Sequence, residues 1–163
     1  MSTGKIVSGG QTGVDIAALR AARSVGIVTG GCCPKNWLTE LGPQPEILKS
    51  FGLHEHSSEK YPPRTRANVE AGDCTLIIAD HMDTGSKFTA EMCLEMEKPM
   101  LHLTRSQMER DREKALDEVL AWLEREPHAI VNVAGNRESK SLGIERAAKM
   151  FLTFLFKEAA KKL

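Results

Sequence analysis

Residues 5–15, Lys5-Ile-Val-Ser-Gly-Gly-Gln-Thr-Gly-Val-Asp15, decide the fold. The first four of these residues form a short β-type run that ends in a pair of glycines. From Thr12 onward, apolar residues recur at helical spacing until Gly26, which is a typical helix stop. A strand, a glycine-rich turn and a helix in this order are typical of the first half of a β-α-β unit.

The same alternation continues to the end of the chain. Further strands are predicted over 26–31, 74–79, 99–103 and 129–134, with a weak one over 51–56, and helices over 61–71, 85–97, 109–126 and 142–161. Residues 36–51 have loop character. Helices of this length between strands predict a parallel sheet that is covered on both faces. We therefore expect one Rossmann-like domain over residues 1–163, an α/β three-layer sandwich with a mainly parallel sheet of about five core strands.

Composition excludes several classes of protein. Lysine plus arginine (22) balances aspartate plus glutamate (22), which argues against binding to nucleic acid or to an anionic membrane. No apolar run approaches the roughly 18 residues of a membrane span, and the N-terminus lacks the apolar centre of a signal peptide. Four cysteines without Cys-x-x-Cys spacing favour a reduced, cytoplasmic protein. No metal site is predicted from protein ligands.

The first glycine-rich turn is a candidate anion site. In parallel sheets, ligands bind beyond the carboxyl ends of the strands. Glycines there permit close approach to the backbone, and free N–H groups at a helix start attract an anion. The candidate ligand-binding residues of this turn are Gly9, Gly10, Gln11, Thr12 and Gly13. The alternative is a tight turn before a capped helix. Asp15 either forms a capping box with Thr12 or accepts hydrogen bonds from the ligand.

Two further turns follow predicted strands. Lys35, after the second strand, is either a phosphate partner or a solvated lysine. Gly85, Ser86 and Thr89 lie at the start of a predicted helix, where N–H groups and hydroxyls could form a second anion-binding corner. We expect this corner and the first turn to meet at one edge of the sheet. Arg137, in the last turn, either joins the same cleft or pairs with Glu138.

One face of the predicted helix over 61–71 is polar. Its spacing of i, i+3, i+4 and i+7 places Tyr61, Arg64, Thr65 and Asn68 together. Arginine suits bidentate contact with a phosphate, so we take Arg64 and Asn68 as candidate ligand-binding residues. A solvated face with an arginine–carboxylate pair is the alternative.

Five motifs together resemble the putative molybdenum carrier family. They are Ser-Gly-Gly-Gln-Thr-Gly-Val-Asp at 8–15, Thr-Gly-Gly-Cys-Cys-Pro-Lys at 29–35, Tyr-x-x-Arg-Thr-x-x-Asn-Val at 61–69, Thr-Gly-Ser-x-x-Thr at 84–89 and Asn-Val-Ala-Gly-Asn-Arg-Glu-Ser at 132–139. This family is similar to algal molybdenum-cofactor carriers and to lysine-decarboxylase-like ("lonely guy", LOG) proteins that process nucleotides. The resemblance implies a Rossmann-like fold, a pocket for a nucleotide or for the molybdenum cofactor (molybdopterin), and a homo-oligomer.

Three functions are compatible with these motifs. The leading hypothesis is a binding or carrier protein for a phosphate-bearing small molecule, with positive charge from Arg64 and Lys35. The second is an enzyme that hydrolyses the N-glycosidic bond of a nucleotide, in which Glu91 or Asp15 would be the catalytic carboxylate. The third is a regulatory module that senses a nucleotide through the same pocket.

Overall fold

The computed structural model describes residues 4–125 and 130–161, and within them six parallel strands form the main sheet. These strands are β1 (Lys5–Val7), β2 (Val28–Cys33), β5 (Leu53–Glu55), β6 (Cys74–Ile78), β7 (Met100–Leu103) and β8 (Ile130–Gly135). They lie in the order β5-β2-β1-β8-β6-β7, and every neighbouring pair is parallel. A separate antiparallel hairpin consists of β3 (Leu38–Thr39) and β4 (Gly42–Pro43).

Helices cover both faces of this sheet. They are α1 (Val14–Ser24), α2 (Pro45–Ser50), α3 (Tyr61–Ala71), α4 (Thr84–Glu95), α5 (Arg105–Arg110), α6 (Arg112–Arg125) and α7 (Ile144–Lys161). One face packs against α1, α5, α6 and α7, and the other against α3 and α4. The predicted Rossmann-like three-layer α/β sandwich is thus confirmed.

The larger core lies between the sheet and α1 and α7. Leu76 and Ile78 of β6 are fully or almost fully buried in it, while the residue between them faces the other layer because side chains alternate along a strand. On α1, Ala17, Ala18 and Ala21 are completely buried. Their small side chains permit the close approach of α7, since the distance between packed helices depends on the side chains at the contact.

The predicted loop over 36–51 is wrong, because it contains the β3–β4 hairpin and α2. Pro45 is the first residue of α2, a position that tolerates proline because its missing N–H would have no partner in the helix. The strand that the sequence indicated only weakly over 51–56 is β5, which pairs with β2 at the edge of the sheet. The main sheet therefore has six strands rather than about five. The second strand is Val28–Cys33, two residues later than predicted.

The predicted long helix over 109–126 is two helices, α5 and α6, separated by Asp111. A capping box between Thr104 and Gln107 starts α5, which the apolar periodicity did not indicate. The predicted end of the long helix at Glu126 and Pro127 lies outside the described residues. The same is true of the predicted start of the last strand at Ala129.

The start of α1 also differs from the prediction. Its N-cap is Gly13 with no side-chain cap, so the expected capping box between Thr12 and Asp15 is wrong. Gly13 has φ +79°, and a Cβ there would lie 2.3 Å from the backbone oxygen of Asn136. The next residue, Val14, donates its N–H to that same oxygen at 3.1 Å. The turn after β8 therefore packs directly on the start of α1.

We expect Gly13→Ala to lower the free energy of unfolding by about 3 kcal/mol or more, because left-handed backbone and a steric clash both oppose the new methyl group. Gly26→Ala is the matched control, since Gly26 has φ +80° but, apart from its chain neighbours, no atom of the described residues lies within 4 Å of its Cβ position. That control should lose only the backbone cost of about 1–2 kcal/mol. Urea-induced unfolding measures both. Equal losses would contradict the close contact at Asn136.

Candidate functional site

A polar cleft lies at the carboxyl edge of the sheet, where β1, β6 and β8 end. Its lining comes from the first turn and α1, from α3, from the start of α4 and from the end of β8. The lining residues are Gln11, Asp15, Tyr61, Arg64, Thr65, Asp83, Gly85, Thr89, Ala134, Gly135 and Arg137. The first glycine-rich turn and the turn before α4 thus meet at one cleft, as expected from their positions in the sequence.

A buried ion pair forms one wall of the cleft. Arg64 Nη1 donates to Asp15 Oδ2 at 3.3 Å, and the two side chains are only 12% and 4% exposed. The N–H of Gln11 donates to the same carboxylate oxygen at 3.2 Å. Gly9 lies beneath the pair, and a Cβ there would be 1.7 Å from Arg64 Nη1. A side chain at this position would therefore displace the Arg64 guanidinium from its place on the first turn.

Burial makes the Asp15 carboxyl unusually easy to protonate. Desolvation raises the pKa of Asp15 above its ordinary value, and it outweighs the opposing effects of Arg64 and of the hydrogen bond from Gln11. A protonated Asp15 would leave the guanidinium charge of Arg64 without a counter-ion. The charge that the cleft offers to an anion thus increases as Asp15 takes up a proton.

A second arginine and an aromatic ring complete this wall. The guanidinium carbons of Arg64 and Arg137 lie 5.5 and 5.8 Å from the centre of the Tyr61 ring. Both distances are within the range of cation–π attraction, which helps to hold the two cations near each other. Of the two alternatives for Arg137, a place in the cleft or a pairing with Glu138, the structure favours the place in the cleft. Two guanidinium groups in one narrow cleft form an arrangement suited to a phosphate or a carboxylate.

The opposite wall, at the start of α4, is less positive than the sequence suggested. Asp83 is the N-cap of α4 and accepts the N–H of Ser86 at 2.8 Å. Its carboxylate partly neutralises the positive end of the helix dipole. Thr89 lines the cleft and donates its hydroxyl to the backbone oxygen of Gly85 at 3.0 Å. The Ser86 hydroxyl is buried and has no hydrogen-bond partner in the described part of the chain.

Of the five predicted residues of the first turn, Gln11 lines the cleft and the other four do not: Gly9 lies beneath the ion pair, and Gly10, Thr12 and Gly13 contact other parts of the protein. The Cβ position of Gly10 faces the side chains of Leu48 and Leu53. The Thr12 hydroxyl donates to Glu40 and accepts the N–H of Glu138. Gly13 packs against the turn after β8, and its N–H donates to Glu145 Oε1 at 3.2 Å. These glycines permit close approach of the protein's own groups.

Three other predicted residues also lie away from the cleft lining. Asn68 is buried and forms two hydrogen bonds of 2.8 Å with the backbone of Cys32, which joins α3 to β2. Lys35 is exposed in a short 3₁₀ turn, where its backbone N–H donates to Ser58. Glu91 is exposed on α4. Neither Lys35 nor Glu91 is among the residues that line the cleft.

Sequence reasoning missed Glu40, which lies in the segment interpreted as a loop. Its carboxylate accepts hydrogen bonds from the hydroxyls of Thr12 and Ser139 and from the Ser139 N–H at 3.2 Å. Arg137 Nε lies 3.9 Å away. Desolvation alone would raise the pKa of Glu40, but the hydrogen bonds from Ser139 and Thr12 stabilise the carboxylate, so that its pKa lies below the ordinary value. No local motif marks such a residue, because all its partners are distant in sequence.

The described residues contain neither a metal-binding cluster nor a membrane-spanning helix. Within 4–125 and 130–161, no group of three or more His, Cys, Asp or Glu side chains is placed to hold a metal ion. Among those same residues, none of the helices combines the length and the apolar character that a membrane crossing needs.

The fold and the cleft together define a Rossmann-like α/β protein with a polar site at the carboxyl edge of its sheet. Comparison with known proteins agrees with this class. The model of the family described as circularly permutated YpsA SLOG matches residues 6–156, so the chain belongs to this family. A search of curated protein sequences finds no match.

A solved structure provides the second comparison. The chain is similar to the putative molybdenum carrier protein from Syntrophus aciditrophicus SB, whose crystal structure was determined at 1.45 Å resolution. The two share 35% sequence identity over 95% of each chain, with a TM-score of 0.87. The resemblance that the five sequence motifs indicated is thereby confirmed.

The raised pKa of Asp15 predicts a pH dependence of stability. The folded state binds this proton more tightly than the unfolded chain does, because the pKa of the Asp15 carboxyl has its ordinary value of 3.8 only in the unfolded chain. Wild-type stability therefore falls as the pH rises from 3.8 through the pKa of the folded state. Asp15→Asn lacks this titration. The free energy of unfolding of the wild type minus that of Asp15→Asn should therefore decrease from about pH 4 upward and then level off. Urea unfolding at several pH values measures it. A difference that is flat or rises with pH would contradict the assignment.

Proposed function

We propose that the protein binds or carries a phosphate-bearing small molecule, such as a nucleotide or the molybdenum cofactor, with its phosphate in the cleft. The observation that carries this proposal is the pairing of Arg64 and Arg137 around Tyr61. Arg64 pairs with the Asp15 carboxylate, and its Nε has no hydrogen-bond partner in the described part of the chain. The guanidinium thus keeps an unused donor for an oxyanion, although the net charge of the chain is zero.

The size of the cleft supports recognition of one polar group. Its cavity volume is about 90 Å³. Pockets that enclose a whole drug-sized ligand are larger, on the order of 300–1,000 Å³. A phosphate would fill the space beside Arg64, and the rest of the ligand would extend past the exposed Gly85 into solvent. The sequence led us to expect ligand contacts from the turns over 9–15, 29–35 and 84–91. In this proposal, the contacts are limited to the residues that line the cleft.

The molybdenum cofactor is one ligand compatible with this arrangement. A relative of similar fold is named a putative molybdenum carrier protein. The cleft residues fit the phosphate of molybdopterin through Arg64 and Arg137. The described residues offer no cluster of ligands for a bare metal ion, so the proposal is for recognition of an organic phosphate.

Binding is favoured over N-glycosidic hydrolysis by the state of the candidate carboxylates. Glu91 lies outside the cleft lining. Asp15 lines the cleft, but its Oδ2 already accepts hydrogen bonds from Arg64 and from the Gln11 N–H. Neither residue therefore provides a free carboxylate inside the cleft. Incubation with nucleoside monophosphates tests this directly, because release of free base would establish the hydrolase instead, and its loss in Asp15→Asn or Glu91→Gln would show which carboxylate it needs.

The predicted homo-oligomer and the nucleotide-sensing role stay predictions. Light scattering with and without a nucleoside monophosphate tests both, since it measures the mass of the protein in solution. A ligand-dependent change of mass would favour the sensing module. A constant mass would count against the sensing module.

Arg64→Ala should weaken the binding of adenosine 5′-monophosphate and of inorganic phosphate by roughly 10- to 100-fold, the usual effect of losing a charge-assisted hydrogen-bonding group. Isothermal titration calorimetry measures the affinity. Arg66→Ala is the matched control, because Arg66 lies on the same helix, pairs with Glu95 at 3.1 Å and does not line the cleft.

Loss of Arg64 also leaves Asp15 buried without its partner, so circular dichroism must first establish that Arg64→Ala is folded. Arg64→Lys retains the charge but loses the two-pronged geometry, and we expect it to bind with intermediate affinity. Wild-type affinity in both Arg64 variants would overturn the proposed function.

A further inference from the structure

Glu40 lies in a group of donors that resembles a binding site for an anion. Its carboxylate is surrounded by the hydroxyl of Thr12, the hydroxyl and N–H of Ser139, and the guanidinium of Arg137. We call these four groups the Glu40 donor set. They come from the first turn and from the turn after β8, and none is close to Glu40 in sequence. Two hydroxyls, one backbone N–H and one guanidinium are the groups that bind phosphate oxygens.

The Glu40 donor set adjoins the cleft. Arg137 is common to both, because it lines the cleft and lies 3.9 Å from the Glu40 carboxylate. Gln11 also joins them, since it lines the cleft while its Oε1 accepts the backbone N–H of Glu40 at 2.9 Å. A group bound beside Arg64 and a group bound at the Glu40 donor set would therefore both adjoin the Arg137 side chain.

The position of Glu40 in the fold permits its side chain to leave. Glu40 and Leu41 form the turn between β3 and β4, and Leu41 is 73% exposed. The hairpin has its own support, because the Thr39 hydroxyl donates to the backbone oxygen of Gly42 and accepts the N–H of Leu41. Rotation of one glutamate side chain into solvent would thus leave the sheet, the helices and the hairpin intact.

We propose that the Glu40 donor set is a second anion subsite, which the Glu40 carboxylate fills when no ligand is bound. This inference rests on the proposed function and makes its ligand more specific. The ligand carries two linked anionic groups, as a nucleoside diphosphate does. One group binds beside Arg64 and Arg137, and the other displaces Glu40. The glutamate therefore weakens the binding of the second anionic group, whereas a ligand with a single anionic group binds beside Arg64 without displacing Glu40.

The test compares adenosine 5′-diphosphate with adenosine 5′-monophosphate by calorimetry. Glu40→Ala empties the subsite, so it should raise the affinity for the diphosphate at least about tenfold relative to that for the monophosphate. Glu40→Gln removes the charge but retains a side chain that can fill the space, and we expect a smaller rise. Glu46→Ala is the matched control, since Glu46 is an exposed acid of the neighbouring helix α2, and it should leave the ratio of affinities unchanged.

Ser139→Ala in the Glu40→Ala background should reverse the gain for the diphosphate, because it removes one donor of the subsite. Equal gains for both nucleotides in Glu40→Ala would mean that Glu40 acts only through its charge, and they would overturn the inference. The absence of a gain for either nucleotide would overturn it as well. In either of these cases, the binding of the monophosphate still tests the proposed function. If Arg64→Ala weakens that binding, the proposed function stands and only the second subsite is overturned. Absence of binding by every variant would overturn both.

Discussion

The pairing of Arg64 with Asp15 above Gly9 is the interaction on which the site depends. It joins the polar face of α3 to the first turn and to the start of α1, and so it holds three parts of the cleft together. The Arg64 guanidinium occupies the space that a side chain at Gly9 would fill. Desolvation by burial raises the pKa of Asp15, although the pairing with Arg64 opposes it. A single contact therefore organises the cleft.

The glycine-rich turn acts differently from a loop that wraps a phosphate with its backbone. Its N–H groups are used largely within the protein, for example by Glu145 at Gly13 and by Asn136 at Val14. Carboxylates of the chain thus occupy three donor groups of this turn, because Asp15 accepts the N–H of Gln11 and Glu40 accepts the hydroxyl of Thr12. The cations that line the cleft are two arginines of other segments.

Sequence reasoning found the parts of the structure that depend on local pattern. The helix Tyr61–Ala71 and the buried strand of β6 were predicted almost to the residue, because proline, helical spacing and an apolar run mark them. Arg64 and Asp15 were found as candidates, but their pairing was not, since 49 residues separate them. Strand β5 and the partners of Glu40 depend on distant contacts, so the local pattern carried little information about them.

Native mass spectrometry of freshly purified protein shows whether the cleft holds a phosphorylated compound, because it weighs whatever small molecule stays bound. We expect the wild type to retain, or to take up from a small-molecule extract, a phosphorylated compound that Arg64→Ala does not hold. A wild type that takes up only compounds without phosphate, or an Arg64→Ala variant that holds the same compound equally well, would contradict it.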